Sequence, residues 1–190
     1  PDDMVYNGTQ YSFNDIQMKS DIAGDTRIPY LKYYQLDDNG DYVLLTDAPV
    51  NAGKYAITFC LDADMNNGYD AYESLKQPFE IKKAKVQVFW ASQKWEKDPV
   101  TGKITYKMFY TGSVTTPIAR AYGVLYDIQN HLEIIPLNVT ISTNGTYNGI
   151  SVGTQKVKAT IQPGTHPNPQ VVNGLSQANY EQNYYLVDDE

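Results

Sequence analysis

Asn51-Ala-Gly-Lys-Tyr-Ala-Ile-Thr-Phe-Cys-Leu61 is the stretch that decides how the chain is read. Pro49 and Gly53 bound a turn, and from Tyr55 onward the residues alternate. Tyr55, Ile57, Phe59 and Leu61 share one side; Ala56, Thr58 and Cys60 share the other. Period-two alternation of aromatic and β-branched residues predicts a strand buried on one face. Much later, Ser151-Val-Gly153-Thr-Gln155-Lys-Val157-Lys-Ala159-Thr-Ile161 repeats the pattern. An earlier pair of landmarks, Tyr6-Asn-Gly8-Thr and Tyr110-Thr-Gly112-Ser, precedes the two stretches at nearly equal separation. Repeated landmarks in the same order predict a duplication.

Working outward, Leu31–Leu36 and Tyr42–Leu45 flank Asp37-Asp-Asn-Gly-Asp41, and Asn39-Gly40 between apolar runs predicts a hairpin. A long polar loop is expected from Asp62 to about Gln77, then a closing strand at Phe79-Glu-Ile81. Lys82-Lys-Ala-Lys85 is expected to be a short basic hinge. Beyond it, Val86, Val88 and Trp90 share a face, so Trp90 is expected to seed a second core. Pro99 and Gly102 punctuate a loop, and Ile104, Tyr106 and Met108 alternate. Val124–Ile128 and Ile134–Ile141 read as further strands. No segment keeps a helical period; Ser74–Lys76 and Thr116–Tyr122 are the places where a single turn fits. The fold class is therefore all-β, with a first module over 1–83 and a second over 84–190. The second module either lacks its last strand or uses Tyr184–Val187 for it.

The totals narrow the function. At 190 residues there is room for one large domain or two small ones. Tyr outnumbers Phe 17 to 5, a bias that suits half-exposed strands. A net charge of −7 argues against nucleic acid or an anionic membrane as partner. No apolar run approaches the ~20 residues of a membrane span, so no insertion is expected. The single cysteine, Cys60, forbids an internal disulfide and reads as a small core residue. The chain starts at Pro1 without a signal-like segment, so it is expected to be a piece of a longer protein.

Several of these motifs resemble a known family. Val88-x-Trp90, Phe109-Tyr-x-Gly112 and Thr116-Pro117 look like parts of a repeat found in large Gram-positive bacterial surface proteins. Tyr6-Asn7-Gly8, Asn51-Ala-Gly53-Lys-Tyr55, Asn66-Asn-Gly-Tyr69, Phe79-Glu-Ile81 and Asn179-Tyr180 fit the same pattern, while Gln155 stands where Tyr is expected. The resemblance is to immunoglobulin-like or mucin-binding-type β-grasp repeats. It implies two tandem immunoglobulin-like β-sandwich modules, with β-grasp modules as the alternative. In the sandwich, the hydroxyl of a tyrosine placed like Tyr55 bonds back to the preceding corner. The implied role is a non-catalytic extracellular or cell-surface spacer or adhesion segment, expected as a monomer and with a host glycan or surface protein as partner. The rival role is a carbohydrate-binding module of a secreted glycan-active enzyme.

Two sets of residues carry candidate chemistry. Asp62, Asp64, Asn66, Asp70 and Glu73 place oxygen side chains at positions one, three, five, nine and twelve of a loop, the spacing of a calcium site. Asn67 occupies the place where that loop needs glycine, so a solvated acidic loop is the competing reading. Tyr30, Tyr33, Tyr34, Trp95, Tyr184 and Tyr185 are candidates for stacking on sugar rings, Tyr33, Tyr34 and Trp95 foremost, against the alternative of cross-strand packing. His131 and His166 sit at no metal or catalytic spacing. No nucleophile, paired-carboxylate or phosphate-loop signature is present, so no cofactor beyond calcium and no enzymatic activity is expected. Asn7, Asn138 and Asn144 begin glycosylation-type sequons.

Overall fold

A computed structural model of the chain describes residues 4–11, 13, 24–91, 94–102, 104–107, 111–113, 117–126, 131–143, 157–167 and 177–187. Among these the regular elements are strands, with one four-residue helix. It separates into two compact units, Pro1–Lys83 and Ala84–Glu190.

The first unit is an antiparallel sheet of β1 (Tyr30–Leu36), β2 (Tyr42–Leu45), β3 (Gly53–Leu61), β4 (Tyr72–Glu73) and β5 (Gln77–Ile81), in the order β2-β1-β3-β4 with β5 also paired to β3. The Asn39-Gly40 signal does close the β1–β2 hairpin, and Gly40 takes the positive φ of 88° that the turn needs. Asp37 anchors the loop, its Oδ1 accepting the N–H groups of Asn39 and Asp41 at 2.9 and 2.8 Å.

β3 lies at the centre, with β1 on one side and β4 and β5 on the other. It is buried on both faces rather than one: Tyr55, Ala56, Ile57, Thr58 and Cys60 are all inaccessible. Cross-strand register explains this. Tyr33 stands opposite Ile57 and Phe79 opposite Tyr55, so one face is an aromatic layer, to which Phe13 adds a fourth ring at 5.1 Å from Phe79. The small residues of the other face leave room for Tyr34, which stands opposite Ala56. The Tyr55 hydroxyl donates to the Asn51 carbonyl at 2.8 Å, closing the corner before β3. Val5 forms a parallel bridge with Lys82, so a segment from the start of the unit runs beside the end of its last strand. That pairing also shortens the expected hinge: Lys82 is already bonded and the next strand starts at Ala84.

The second unit centres on a four-stranded sheet of β6 (Ala84–Ala91), β9 (Ile118–Tyr126), β10 (Leu132–Leu137) and β15 (Tyr184–Val187), in the order β10-β9-β6-β15. β15 runs parallel to β6, so Tyr184–Val187 does form a strand. Two-stranded pairs complete the unit: β7 (Lys94–Lys97) with β8 (Ile104–Lys107), β11 (Val139–Thr143) with β12 (Val157–Ile161), and β13 (Thr165–Pro167) with β14 (Gln177–Asn179). Residues 151–156 of the repeated pattern, and the Phe109-Tyr110 landmark, lie outside the described residues.

Residues 118–122, where a helical turn was one expectation, belong to β9. The helix is α1 (Tyr180–Asn183) instead, capped by the Asn179 side chain accepting from the N–H groups of Glu181 and Gln182. The core gathers Val86, Val88, Ala121, Leu137, Ala159, Ile161, Tyr180 and Tyr184. Trp90 is only half-buried, so the expected seed is displaced by Tyr184, whose ring lies flush on Gly123 of β9. A β-carbon on Gly123 would fall 2.5 Å from a ring carbon of Tyr184.

Candidate functional site

The residues singled out for calcium are dispersed. Arg27 reaches into the loop from the chain before β1 and donates to the carbonyls of Asp62 and Asp70 at 3.3 and 2.8 Å. Its guanidinium also lies 4.7 Å from the centre of the Tyr69 ring and pairs with Asp25 at 3.0 Å. The hydrogen bond to Asp25 holds the Arg27 proton more tightly than in a free arginine. A cation thus already sits among the loop oxygens, and it belongs to the protein. Asp62 accepts from the Tyr30 hydroxyl at 3.0 Å, and Asp64 closes its own turn on Asn67. The bond from the Asn67 side chain lowers the Asp64 pKa. Asn66 is exposed. No three acidic, histidine or cysteine groups converge at metal distance among the described residues.

Glu73 joins a different group. It stands opposite Cys60 on the small-residue face of β3. Its carboxylate accepts from Tyr34 Oη at 2.6 Å and Thr58 Oγ1 at 3.0 Å, while Lys32 Nζ lies at 2.7 Å. These three donors, Lys32 foremost, hold the Glu73 pKa down at about 2. A carboxylate with three donors and no proton is neither a general acid nor a free ligand. The cluster ties β4 to the sheet.

The same contact removes Tyr34 from the sugar-stacking set. Its hydroxyl is spent on Glu73 and the Lys76 ammonium lies 4.5 Å from its ring centre. Tyr33 is buried in the aromatic layer, its hydroxyl accepting the Phe13 N–H at 3.3 Å. The chain therefore brings together Tyr34 and Glu73, which the sequence assigns to separate sites, and gives them a structural task. For Trp95 the backbone is placed, in β7 opposite Tyr106; its side chain lies outside the described residues.

No protein family, curated protein or solved structure matches this chain. The site must be read from its own surface.

Among the described residues, a broad exposed apolar area lies on the second unit. In β9 the residues Ile118, Arg120, Tyr122 and Val124 point outward, and the small Ala119, Ala121 and Gly123 point in. Register extends the outward set: Phe89 faces Arg120 across to β6, and Ile134 faces Val124 across to β10. Phe89 is 55 % and Ile134 64 % exposed. Leu132, Ile118, Val124, Tyr122 and Tyr185 are exposed alongside them. Phe89 and Tyr122 form a tilted pair with ring centres 6.2 Å apart.

Half-exposed side chains of this size amount to roughly 700 Å² of apolar surface, taking ~200 Å² for each whole side chain. The largest patch on a typical monomer is ~300–600 Å². Arg120 and Lys85 are the charges on this face, and neither has an ion-pair or hydrogen-bond partner among the described residues.

Sequence reasoning missed this area. The signal was present: an Ile-Ala-Arg-Ala-Tyr-Gly-Val run alternates large and small residues. Large residues are normally assigned to the core, but here the core side is small because the Tyr184 ring fills it.

Proposed function

We propose that the chain is a non-catalytic pair of immunoglobulin-like β-modules, with β-grasp modules as the alternative, from a surface or secreted protein. Its work is contact and spacing. The observation that carries this reading is the open apolar face of the second unit, where no acidic, histidine or cysteine cluster converges at metal distance among the described residues. A concavity of the first unit, lined by Leu36, Tyr42, Lys54, Tyr55, Pro78, Phe79 and Glu80, is a shallow depression of about 260 Å³. It is smaller than the ~300–1,000 Å³ of small-molecule sites.

Three features support two related modules. The Tyr55 hydroxyl makes the corner bond of a sandwich strand. Each unit runs a segment from its start parallel to its closing strand, Val5 beside Lys82 in the first and β6 beside β15 in the second. The two glycine landmarks also share a local geometry. Gly8 and Gly112 take φ values of 81° and 76°, and the preceding side-chain oxygen accepts the N–H of the following residue in both.

The aromatic end of the platform, Phe89, Tyr122 and Tyr185, also suits the carbohydrate-binding alternative, since sugar faces stack on exposed rings. Binding of the chain to immobilised glycans and surface proteins tests the contact role. The expected result is binding that Phe89→Ser with Tyr122→Ser abolishes and Trp95→Ala leaves intact. Turnover of a glycan by the isolated chain would overturn the non-catalytic reading.

A further inference from the structure

The open face of the second unit has a counterpart on the first. β2 is an edge strand, hydrogen-bonded on one side only, to β1. Its Tyr42, Val43 and Leu44 are exposed, the last at 58 %. Native edges are commonly protected by proline, lysine or a bulge. β10, one edge of the other sheet, carries Pro136; β2 has no proline or lysine, and neither has β15, the other edge of that sheet. β2 is flanked instead by carboxylates, Asp38 and Asp41 before it and Asp47 after it, all exposed and none ion-paired among the described residues.

The two surfaces complement each other in charge and in apolar character. One is a flat platform with Arg120 and Lys85 set among apolar side chains. The other is an apolar ridge with Asp38, Asp41 and Asp47 at its two ends and Lys54 beside Tyr42. Pairing like with like is disfavoured: two platforms would bring Arg120 and Lys85 toward their own copies, and two ridges would appose aspartates. Pairing platform with ridge buries the apolar surface and neutralises both charge sets. By the same yardstick the exposed ridge of Tyr42, Val43 and Leu44 offers roughly 300 Å², so each contact is small and of the weak, concentration-dependent kind.

We propose that the chain associates with a second copy of itself head to tail, the Phe89–Arg120–Tyr122 platform of one copy receiving the Tyr42–Leu45 strand of the next. This rests on the reading of the platform as a contact surface and names its partner. Because the two halves differ, the contact is heterologous and repeats along an open chain of copies unless the rotation closes a ring. Charged shoulders fix the register and speed encounter, so association weakens with salt.

Sedimentation velocity of the full chain over a wide concentration range, at low and high salt, provides the test. The wild type is expected to gain mass with concentration without stopping at a dimer, and less so in high salt. Arg120→Glu spoils the platform and Leu44→Lys spoils the ridge; each alone is expected to raise the dissociation constant at least ~10-fold. Mixed in equal amounts, the two variants are expected to form a one-to-one dimer and nothing larger, because each retains the surface that the other lacks. That complementation also demonstrates that both variants fold. A wild type that stays monomeric at the highest concentration, a dimer indifferent to either substitution, or a mixture that stays monomeric overturns the proposal. A monomer that still binds glycan or foreign protein through Phe89 overturns self-association alone. A monomer that binds nothing through that face overturns the contact role as well.

Discussion

Gly123→Ala tests the placement of the closing strand of the second unit. Gly123 has no unusual backbone conformation, so space alone decides the outcome. The added carbon would stand 2.5 Å from Tyr184 Cζ and 2.8 Å from its Cε1 and Oη. Carbon atoms rest at ~3.5–4.0 Å, so the ring or the strand must retreat by about 1 Å. Tyr184 is 2 % exposed, so its ring cannot swing out without breaking the core. Overpacking of this kind costs ~1–3 kcal/mol. At ~4–8 °C per kcal/mol for a domain of this size, the melting transition of the second unit should fall by roughly 5–20 °C.

Calorimetry reads the shift, and hydrogen exchange at the amides of β6 and β15 locates it. A double-mutant cycle isolates the cause: in a Tyr184→Ala background the ring is gone, and Gly123→Ala should then cost little. A Gly123→Ala variant as stable as the wild type, or one with the same penalty in both backgrounds, would refute the placement of Tyr184 over β9.

Other outcomes follow from the first unit. Tyr55→Phe removes the corner hydrogen bond to Asn51 and should cost ~0.5–1.5 kcal/mol in urea unfolding. Burial pushes the Tyr55 pKa from 10.0 up to about 12, so its contribution is complete below pH 10 and is lost as pH rises toward 12. Ultraviolet titration of the phenolate, compared with Tyr55→Phe, reads that loss. Glu73 shows the opposite sign: its pKa falls from 4.5 to about 2, so its contribution is complete above pH 4.5 and disappears as pH falls through 2. Glu73→Gln should flatten that acid limb in a stability–pH series. Millimolar calcium should leave the melting temperature of the wild type unchanged, since Arg27 already takes the loop carbonyls and binding to the native state would have to raise it.

Much of the first unit was legible because its signals are local. Asn39-Gly40 marks a turn by backbone chemistry alone, and the alternation after Gly53 marks β3. What alternation does not reveal is how many layers cover a strand. Ala56, Thr58 and Cys60 look half-polar in sequence, yet Tyr34 and Glu73 come over them from β1 and β4. The Asp62–Glu73 spacing likewise resembled a cation loop because the arginine that reaches its carbonyls lies well upstream, at position 27. In the second unit the alternation of β9 was present but inverted, with glycine and alanine on the core side. At Gly123 the distant Tyr184 explains that choice. Side-chain partners that are remote in sequence are what pattern reading leaves out.

The parallel pairing of β15 with β6 also bears on how the second unit is made. Residues 184–187 meet residues 84–87, so one ladder spans nearly the whole unit. A contact that distant must close a long loop before it is rewarded, which slows folding. The hairpin of the first unit has no such wait. On a ribosome, the front half can reach its native state while β6 still presents an unpaired edge, waiting for the last strand to emerge. Until then, that edge is open to mispairing with other chains.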